Sequence, residues 1–224
     1  MFNQIKKVLT SRGSFIKTLY YNFKYLKISD AIKLPMIISR TTKISGKGKI
    51  NIDNPRETIY IGQKTLNWMD ESKEYTNLYL DGSIEFLGKV YIGLGTKIEI
   101  KKYGNLKIGN NVTFTGGSKI ICNKKIYFGN DCLISWDTLI MDSDGHTILD
   151  NNNINIDKPI IIGNHTWIGC NSIILKNTKI FSNTVIASGS IVSGNYIEKN
   201  ILLSGDKAKK LKSQIKWDIN YPSN

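Results

Sequence analysis

Aliphatic residues recur at intervals of six along most of the chain. From residue 162 onward the series is unbroken and consists of Ile162, Ile168, Ile174, Ile180, Ile186 and Val192. The same interval links Ile108, Phe114 and Ile120, and it returns after a shift of two residues at Phe128, Ile134 and Ile140. A period of six fits neither an α-helix nor a hairpin meander with turns every 8–12 residues. It predicts a short strand followed by a corner, repeated many times.

Three such six-residue sides close a triangular coil. Stacked coils place each repeated aliphatic residue over its counterpart in the next coil, so one core runs along the whole stack. The corners need residues that tolerate positive φ, and Asn110, Asn130, Asn164 and Asn171 stand beside the glycines to supply them. The pattern therefore predicts an all-β solenoid.

The period is interrupted between Ile140 and Ile162, where 22 residues take the place of six. The extra residues must leave the coil at a corner, so 141–159 is predicted to be an extruded loop on a rigid scaffold. This loop contains Asp142, Asp144 and His146. An imidazole accepts a proton efficiently near neutral pH, but taken alone a loop histidine beside acidic residues is more simply a solvated side chain.

The two ends of the chain lack the six-residue period. In residues 1–45, Phe15, Leu19, Phe23 and Leu26 fall near helical spacing with lysines between them, which predicts a helical N-terminal segment. Packing of this segment on the first coil is favoured, and an interfacial helix touching an anionic membrane is the alternative. The basic tail, residues 206–224, is predicted to form a short helix that caps the last coil.

Composition narrows the class of protein. Of the 224 residues, 41% are hydrophobic and 22% are charged, which is typical of a folded domain, and no apolar run is long enough for a transmembrane helix. The net charge of +13 favours a polyanionic partner. No nucleic-acid-binding motif is present, so nucleic acid is not expected. Three cysteines without CxxC spacing and an N-terminus without an apolar leader predict a reducing, cytoplasmic location, with contact at the inner face of the membrane left open.

The repeated [LIV]-G-x-x-x-x pattern resembles the hexapeptide-repeat acyltransferases over residues 46–205. That resemblance implies a left-handed parallel β-helix, since a right-handed crossover is the general rule for parallel strands and only the family supplies the other hand. The order of loop histidine and then "PIIIGNHTWIG", residues 159–169, looks like the branch of galactoside, maltose and capsule or O-antigen sugar O-acetyltransferases. The implied activity is transfer of an acetyl group from acetyl-CoA to a sugar hydroxyl in surface polysaccharide synthesis, by a homotrimer with its sites between subunits.

The resemblance also assigns roles to individual residues. His146 becomes the general base that deprotonates the acceptor hydroxyl, with Asp144 and Asp142 as its acidic neighbours. The residues expected to contact coenzyme A are Trp167, Gly169, Ala187, Ser188, Gly189, Ser204, Lys209 and Lys212. Lys207 stands where the family usually has proline, which puts the local loop shape in question. His165 is expected to pack at a corner or to face solvent, and contact with the cofactor is the alternative.

Trp136 and Asp137 lie one predicted coil before Trp167 and are expected to contact the sugar, because sugars are commonly held by an aromatic face and a carboxylate. An N-acyltransferase for an amino-sugar nucleotide and an antibiotic acetyltransferase share the fold and remain alternatives. A non-enzymatic alternative is a basic solenoid that binds an acidic polymer. A metal enzyme is disfavoured because two histidines cannot readily supply three ligands, so no metal is expected.

Overall fold

Helical segments precede the strands in the computed structural model of the chain, which describes residues 7, 8, 10, 13–146, 149–150, 153–154 and 156–219. Helix α1 (Phe15–Tyr25) begins after Ser14, whose hydroxyl accepts a hydrogen bond from the Lys17 N–H at 3.4 Å, and α2 (Ile28–Ala31) follows it. The helical N-terminal segment is thereby confirmed for these residues. Among the residues so described, no helix is both long and apolar enough to cross a bilayer.

One side of α1 packs on the first strand. Asn22 is fully buried, and its side-chain amide donates to the carbonyls of Thr18 at 2.7 Å and Met36 at 2.8 Å. Its Oδ1 accepts the Met36 N–H at 3.2 Å. The packing interpretation is confirmed for this side, while the other side leaves Phe15, Ile16, Tyr20 and Phe23 exposed.

The strands are short and follow one another in a fixed order around the coil. The first twelve are β1 (Met36–Ile38), β2 (Thr42–Ser45), β3 (Lys49–Ile52), β4 (Ile59–Gln63), β5 (Thr76–Leu80), β6 (Ser83–Phe86), β7 (Val90–Gly93), β8 (Lys97–Ile100), β9 (Asn105–Ile108), β10 (Val112–Phe114), β11 (Lys119–Cys122) and β12 (Lys125–Phe128). The others are β13 (Leu133–Ile134), β14 (Leu139–Met141), β15 (Leu149–Asp150), β16 (Asn153–Ile154), β17 (Ile160–Ile162), β18 (Trp167–Ile168), β19 (Ile173–Leu175), β20 (Lys179–Ile180), β21 (Val185–Ile186), β22 (Ile191–Val192), β23 (Asn195–Tyr196), β24 (Leu202–Ser204) and β25 (Lys209–Lys212).

Strands β15 and β16 of the loop pair antiparallel with each other, and the other strands form three sheets, which are the three faces of a prism. All neighbours in these three sheets are parallel except β24 and β25. The first face has the order β1-β4-β7-β10-β13-β18-β21-β24-β25, the second β2-β5-β8-β11-β14-β19-β22, and the third β3-β6-β9-β12-β17-β20-β23. The chain visits the faces in turn, and each strand pairs with its counterpart one coil away. The predicted parallel β-helix is confirmed.

The six-residue series forms the core. On the first face the register aligns, in successive coils, Ile92, Phe114, Ile134, Ile168, Ile186 and Leu203. All six side chains are fully buried. The residues between them in each strand point outward, as the two-residue alternation of a strand requires. The period of six thus sets which side chains the three faces can present to a ligand.

The corner between the third and first faces differs in detail from the prediction. Positive φ falls at Asn111, Asp131 and His165, one residue after the predicted asparagines. Asn110 and Asn164 instead use their side-chain oxygens to accept backbone N–H groups of the preceding coil, at 2.9 Å each. The assignment of positive φ to Asn110, Asn130 and Asn164 was therefore wrong, whereas Asn171 does adopt it, at 56°.

The predicted C-terminal helix is also wrong. Residues Lys209–Lys212 form β25, which pairs antiparallel with β24. Strand β24 belongs to the last coil, so its outer edge would expose unpaired backbone groups, and the tail satisfies them as a strand. The tail still closes the end of the stack, with Ala208 buried against the core.

The inward and outward positions of a single strand provide a matched test of this core. Ile162→Ala should lower the free energy of unfolding by about 2–5 kcal/mol because it leaves a cavity in a dry stack. Ile161→Ala, in the same strand but half-buried on the outer side, should lower it by about 1 kcal/mol or less. Denaturant unfolding of the two variants measures both values. Equal losses would contradict the assigned register.

Candidate active site

The outer side of the first face carries several of the predicted cofactor residues. Trp167 is 37% exposed, and its indole N–H donates to the Ser135 hydroxyl at 3.0 Å. Three residues lie in register with Trp167 in the next three strands of this face, and they are Val185, Leu202 and Lys212. Ladder spacing of about 4.8 Å puts the Lys212 backbone about 14 Å from that of Trp167.

A strip of small residues lies where the first face meets the second. A side-chain carbon added at Gly169 would lie 2.6 Å from the Ser188 backbone nitrogen, so only glycine fits there. Gly189 has φ +71° and open space beside it. Ser188 is exposed, and Ser204 pairs with Lys209 at the end of the same face. The structure thus brings Trp167, the small-residue strip (Gly169 and 187–189), Ser204 and the two lysines to one side of the prism.

Trp217 lies beside this group and was not foreseen from the sequence. Its ring stacks on His165 at 4.2 Å with 14° between the planes, and its indole N–H donates to the His165 carbonyl at 3.1 Å. The ring is also 5.9 Å from that of Trp167. His165 therefore packs at its corner, as expected, and it fastens the tail beside Trp167. The only sequence signal for this contact was a lone tryptophan in a polar tail.

Trp136 and Asp137 lie at the same edge as the small-residue strip, in an earlier coil. Trp136 is half-buried and meets Trp68 edge-to-face, with ring centroids 6.3 Å apart. Asp137 is exposed and has φ 56°. Trp68 comes from the segment after β4 and is 64% exposed, so an aromatic pair rather than a single tryptophan borders the predicted sugar site.

Asp142 has a different role from the one expected. Its carboxylate is fully buried and accepts the backbone N–H groups of residues 123–125 at 2.7, 2.9 and 2.7 Å. These three bonds close the corner of the preceding coil beneath the loop. The placement of Asp142 in the catalytic group is therefore corrected, because its oxygens are committed to backbone amides.

Asp144 and His146 lie further out on the loop. Asp144 forms an ion pair with Lys176, which follows β19 at the edge between the second and third faces. His146 is exposed and only two residues away, so its backbone lies within about 7 Å of that of Asp144. The ion pair therefore keeps the base of the loop at this edge.

That edge is opposite the first face. The loop leaves between β14 on the second face and β17 on the third, whereas Trp167 is in β18 on the first. Each side of the prism is about six residues long, so the loop edge lies on the order of 15 Å from the first face. Within one copy of the chain, His146 therefore lies far from the predicted cofactor residues of the first face, although both are at the surface.

Two of the three cysteines, Cys122 and Cys132, offer little thiolate. Burial, followed by the charge of Asp142, raises the pKa of Cys122 to about 12, and burial raises the pKa of Cys132 to about 12. Both are fully buried, so neither thiol can serve as a nucleophile near neutral pH. Within the described ranges, no three His, Cys, Asp or Glu side chains are grouped to hold a metal ion.

No family model matches the chain, but comparison with known proteins gives relatives and solved structures. It is 35% identical over 136 residues to a polysialic acid O-acetyltransferase of Escherichia coli O1:K1, covering 53% of this chain and 44% of the relative. It is 28% identical over 144 residues to a polysialic acid O-acetyltransferase of Neisseria meningitidis, covering 61% and 63%. The chain therefore spans about half to two thirds of the length of these relatives.

Solved structures agree in fold. The polysialic-acid-specific acetyltransferase NeuO superposes with a TM-score of 0.57 at 22% identity, over 83% of this chain and 92% of that one. The polysialic acid O-acetyltransferase OatWY superposes with a TM-score of 0.54 at 26% identity, over 84% and 88%. The three-faced coil and its extruded loop define a parallel β-helix fold. The chain is similar in sequence to polysialic acid O-acetyltransferases and shares the fold of NeuO and OatWY.

The two aspartates of the loop should respond differently to substitution. Asp142→Ala should lower the free energy of unfolding by about 3 kcal/mol or more, because three backbone N–H groups lose a buried charged acceptor. Asp144→Ala removes a half-exposed ion pair and should change it by less than about 1 kcal/mol. Chemical denaturation of both variants tests this. A small effect at Asp142 would argue against its role in closing the corner.

Proposed function

We propose that this chain is an O-acetyltransferase that moves an acetyl group from acetyl-CoA to a hydroxyl of an acidic, sialic-acid-type capsule polysaccharide. The two curated relatives described above carry that activity in their names. The observation on which the proposal rests is that one β-helix has both a histidine on its extruded loop and a strip of small residues along one edge. A net charge of +13 suits a polyanionic acceptor.

In the proposed reaction His146 acts as general base. Its imidazole accepts the proton of the sugar hydroxyl while the hydroxyl oxygen attacks the thioester carbonyl. The carbon–sulfur bond then breaks, the acetyl group stays on the sugar, and the coenzyme A thiolate leaves and takes up the proton. No acyl-enzyme forms, which fits the buried, protonated thiols of Cys122 and Cys132.

The proposed donor site is the outer side of the first face. Gly189 has open space beside it, which leaves room for a thin chain to lie against the backbone, with the Trp167 indole on the same side of the prism. Gly169 lets the next coil pack closely beneath this strip. Lys209 and Lys212 are exposed at the end of the stack, where cations would meet the phosphates of coenzyme A. Trp136 and Asp137 are proposed to contact the acceptor sugar. Asp144 is proposed to position the histidine loop through Lys176.

We further propose a homotrimer in which each site is shared by two copies. The loop with His146 leaves the edge between the second and third faces, whereas the small-residue strip lies at the edge between the first and second, so we propose that a neighbouring copy supplies one of them. The proposed location is the cytoplasm, where acetyl-CoA is made. The exposed aromatic side of α1, with Lys24 in its last turn, is a proposed contact with an anionic membrane surface.

Release of free thiol from acetyl-CoA in the presence of a sialic acid polymer tests the activity. The wild type should release thiol with this polymer, and His146→Ala should lower kcat by about 100-fold or more, because the hydroxyl loses its base. Lys158→Ala, an exposed residue of the same loop, is the matched control and should keep its rate.

Equal rates for His146→Ala and the wild type would remove the assigned base while leaving the fold intact. Thiol release only with amino-sugar nucleotides would replace the proposal with the N-acyltransferase alternative. Absence of thiol release with every acceptor would favour a binding protein for acidic polymers.

A complementation experiment tests the shared site. His146→Ala removes the base, and Ser188→Trp fills the small-residue strip, so each variant alone should be inactive. When equal amounts are unfolded and refolded together, about one quarter of the sites should combine an intact base with an intact strip. Activity near a quarter of wild type is therefore expected. No recovery, with mixed oligomers demonstrated by mass spectrometry, would place both groups in one copy.

A further inference from the structure

A cavity of about 1000 Å³ opens on the first face at the N-terminal end of the solenoid. Its walls include Tyr60 and Gln63 of β4, Tyr91 of β7, and the side chains of Arg40 and Lys64. It lies several coils away from Trp167, so it is separate from the proposed donor site. None of these residues has a role in the reaction described above.

Gln63 presents an unsatisfied amide to this cavity. The side chain is only 8% exposed, yet its Nε2 has no hydrogen-bond partner within the described part of the chain. The strand register shifts between Ile61 and Gln63, and Gly62 has φ +78°, so a bulge turns the Gln63 side chain out of its regular direction. A buried donor left unpaired is unfavourable, and a ligand oxygen placed here would satisfy it.

The charge around the cavity favours an anion. Arg40 and Lys64 are exposed at its rim, and Lys7 donates to the Thr58 hydroxyl at 2.9 Å beside them. Glu71 is the carboxylate that also lines the cavity. Three cations against one carboxylate leave a positive field at a site that also offers an amide donor.

The cavity also has an aromatic part of its wall. The rings of Tyr60 and Tyr91 stack on each other at 4.3 Å with 9° between their planes, and both are half-buried. Each ring therefore covers one face of the other, and the Lys89 ammonium is 5.2 Å from the Tyr91 ring. A tyrosine pair of this kind offers a sugar unit an apolar wall together with phenolic oxygens.

The cavity continues toward the predicted acceptor site. The segment after Gln63 runs along the edge of the prism to Trp68, which meets Trp136 at 6.3 Å. Strands β4 and β13 are three ladder steps apart on the first face, a distance of about 14 Å. A linear polymer that reacts beside Trp136 can therefore extend along this edge into the cavity.

We propose that the cavity is a second binding site for the acceptor polymer and holds a carboxylate-bearing sugar unit several units away from the one that reacts. The Gln63 amide and the cations of Arg40 and Lys64 bind the carboxylate, and the tyrosine pair supports the ring. This inference rests on the proposed function for the identity of the polymer. A second binding site of this kind makes the enzyme favour long acidic chains over short ones.

Binding of long sialic acid oligomers in the absence of acetyl-CoA tests the site directly. The double variant Arg40→Glu/Lys64→Glu should raise the Kd for a long oligomer by about tenfold or more at low salt, because two attractive charges become repulsive. Gln63→Leu should raise it by roughly threefold to tenfold, because the amide donor is lost. In turnover, both variants should raise the ratio of KM for the long oligomer to KM for a dimer.

Lys49→Glu/Lys199→Glu makes the same change in net charge at exposed positions away from the cavity and is the matched control. Equal weakening by the control pair, an unchanged KM ratio, or equally tight binding of a neutral glucan of the same length would each overturn the proposal. Thermal melting verifies that the variants fold. If the protein is inactive on every acidic polymer but still binds the oligomer through Arg40 and Lys64, the proposed function is wrong and the binding site is not.

Discussion

The register between coils is the constraint on which the rest of the structure depends. Each strand pairs in parallel with its counterpart one coil away, and inward residues such as Ile134 and Ile168 fall directly over one another. A slip of one residue would turn every inward side chain to the solvent, so burial of the aliphatic columns fixes the register. The outward residues are then fixed as well, which is why Trp167 stands in line with Lys212 although 45 residues separate them.

The same constraint explains how the loop is built. A rigid register cannot absorb extra residues, so the chain must release them where it already bends. Asp142 then closes the corner beneath the loop with three backbone hydrogen bonds, and the ion pair of Asp144 with Lys176 holds the departing chain to the next coil. The base of the loop is thereby tied to the scaffold, while His146 remains exposed.

The features that were predictable from the sequence are those that repeat. The inward positions, the corner for the loop and the grouping of Trp167 with residues 187–189 all follow from counting in sixes. The features that were missed depend on single contacts over long distances, such as Trp217 on His165, 52 residues away, and Trp68 against Trp136. The tail forms β25 and not the predicted helix for the same reason. Backbone hydrogen bonds to the open edge of β24 stabilise the strand more than the local helical preference of the lysine-rich tail stabilises a helix.

The distribution of candidate groups also limits which oligomers can work. An isologous dimer buries the same patch on both copies, so it is poorly suited to joining the loop edge of one copy to the first face of another. The proposed assembly uses a heterologous contact between these two surfaces. Repeated by a rotation that closes, such a contact gives a ring in which every copy would lend its proposed base, His146, to one neighbour and its proposed donor site to the other. The proposed cyclic assembly thus has as many shared sites as copies.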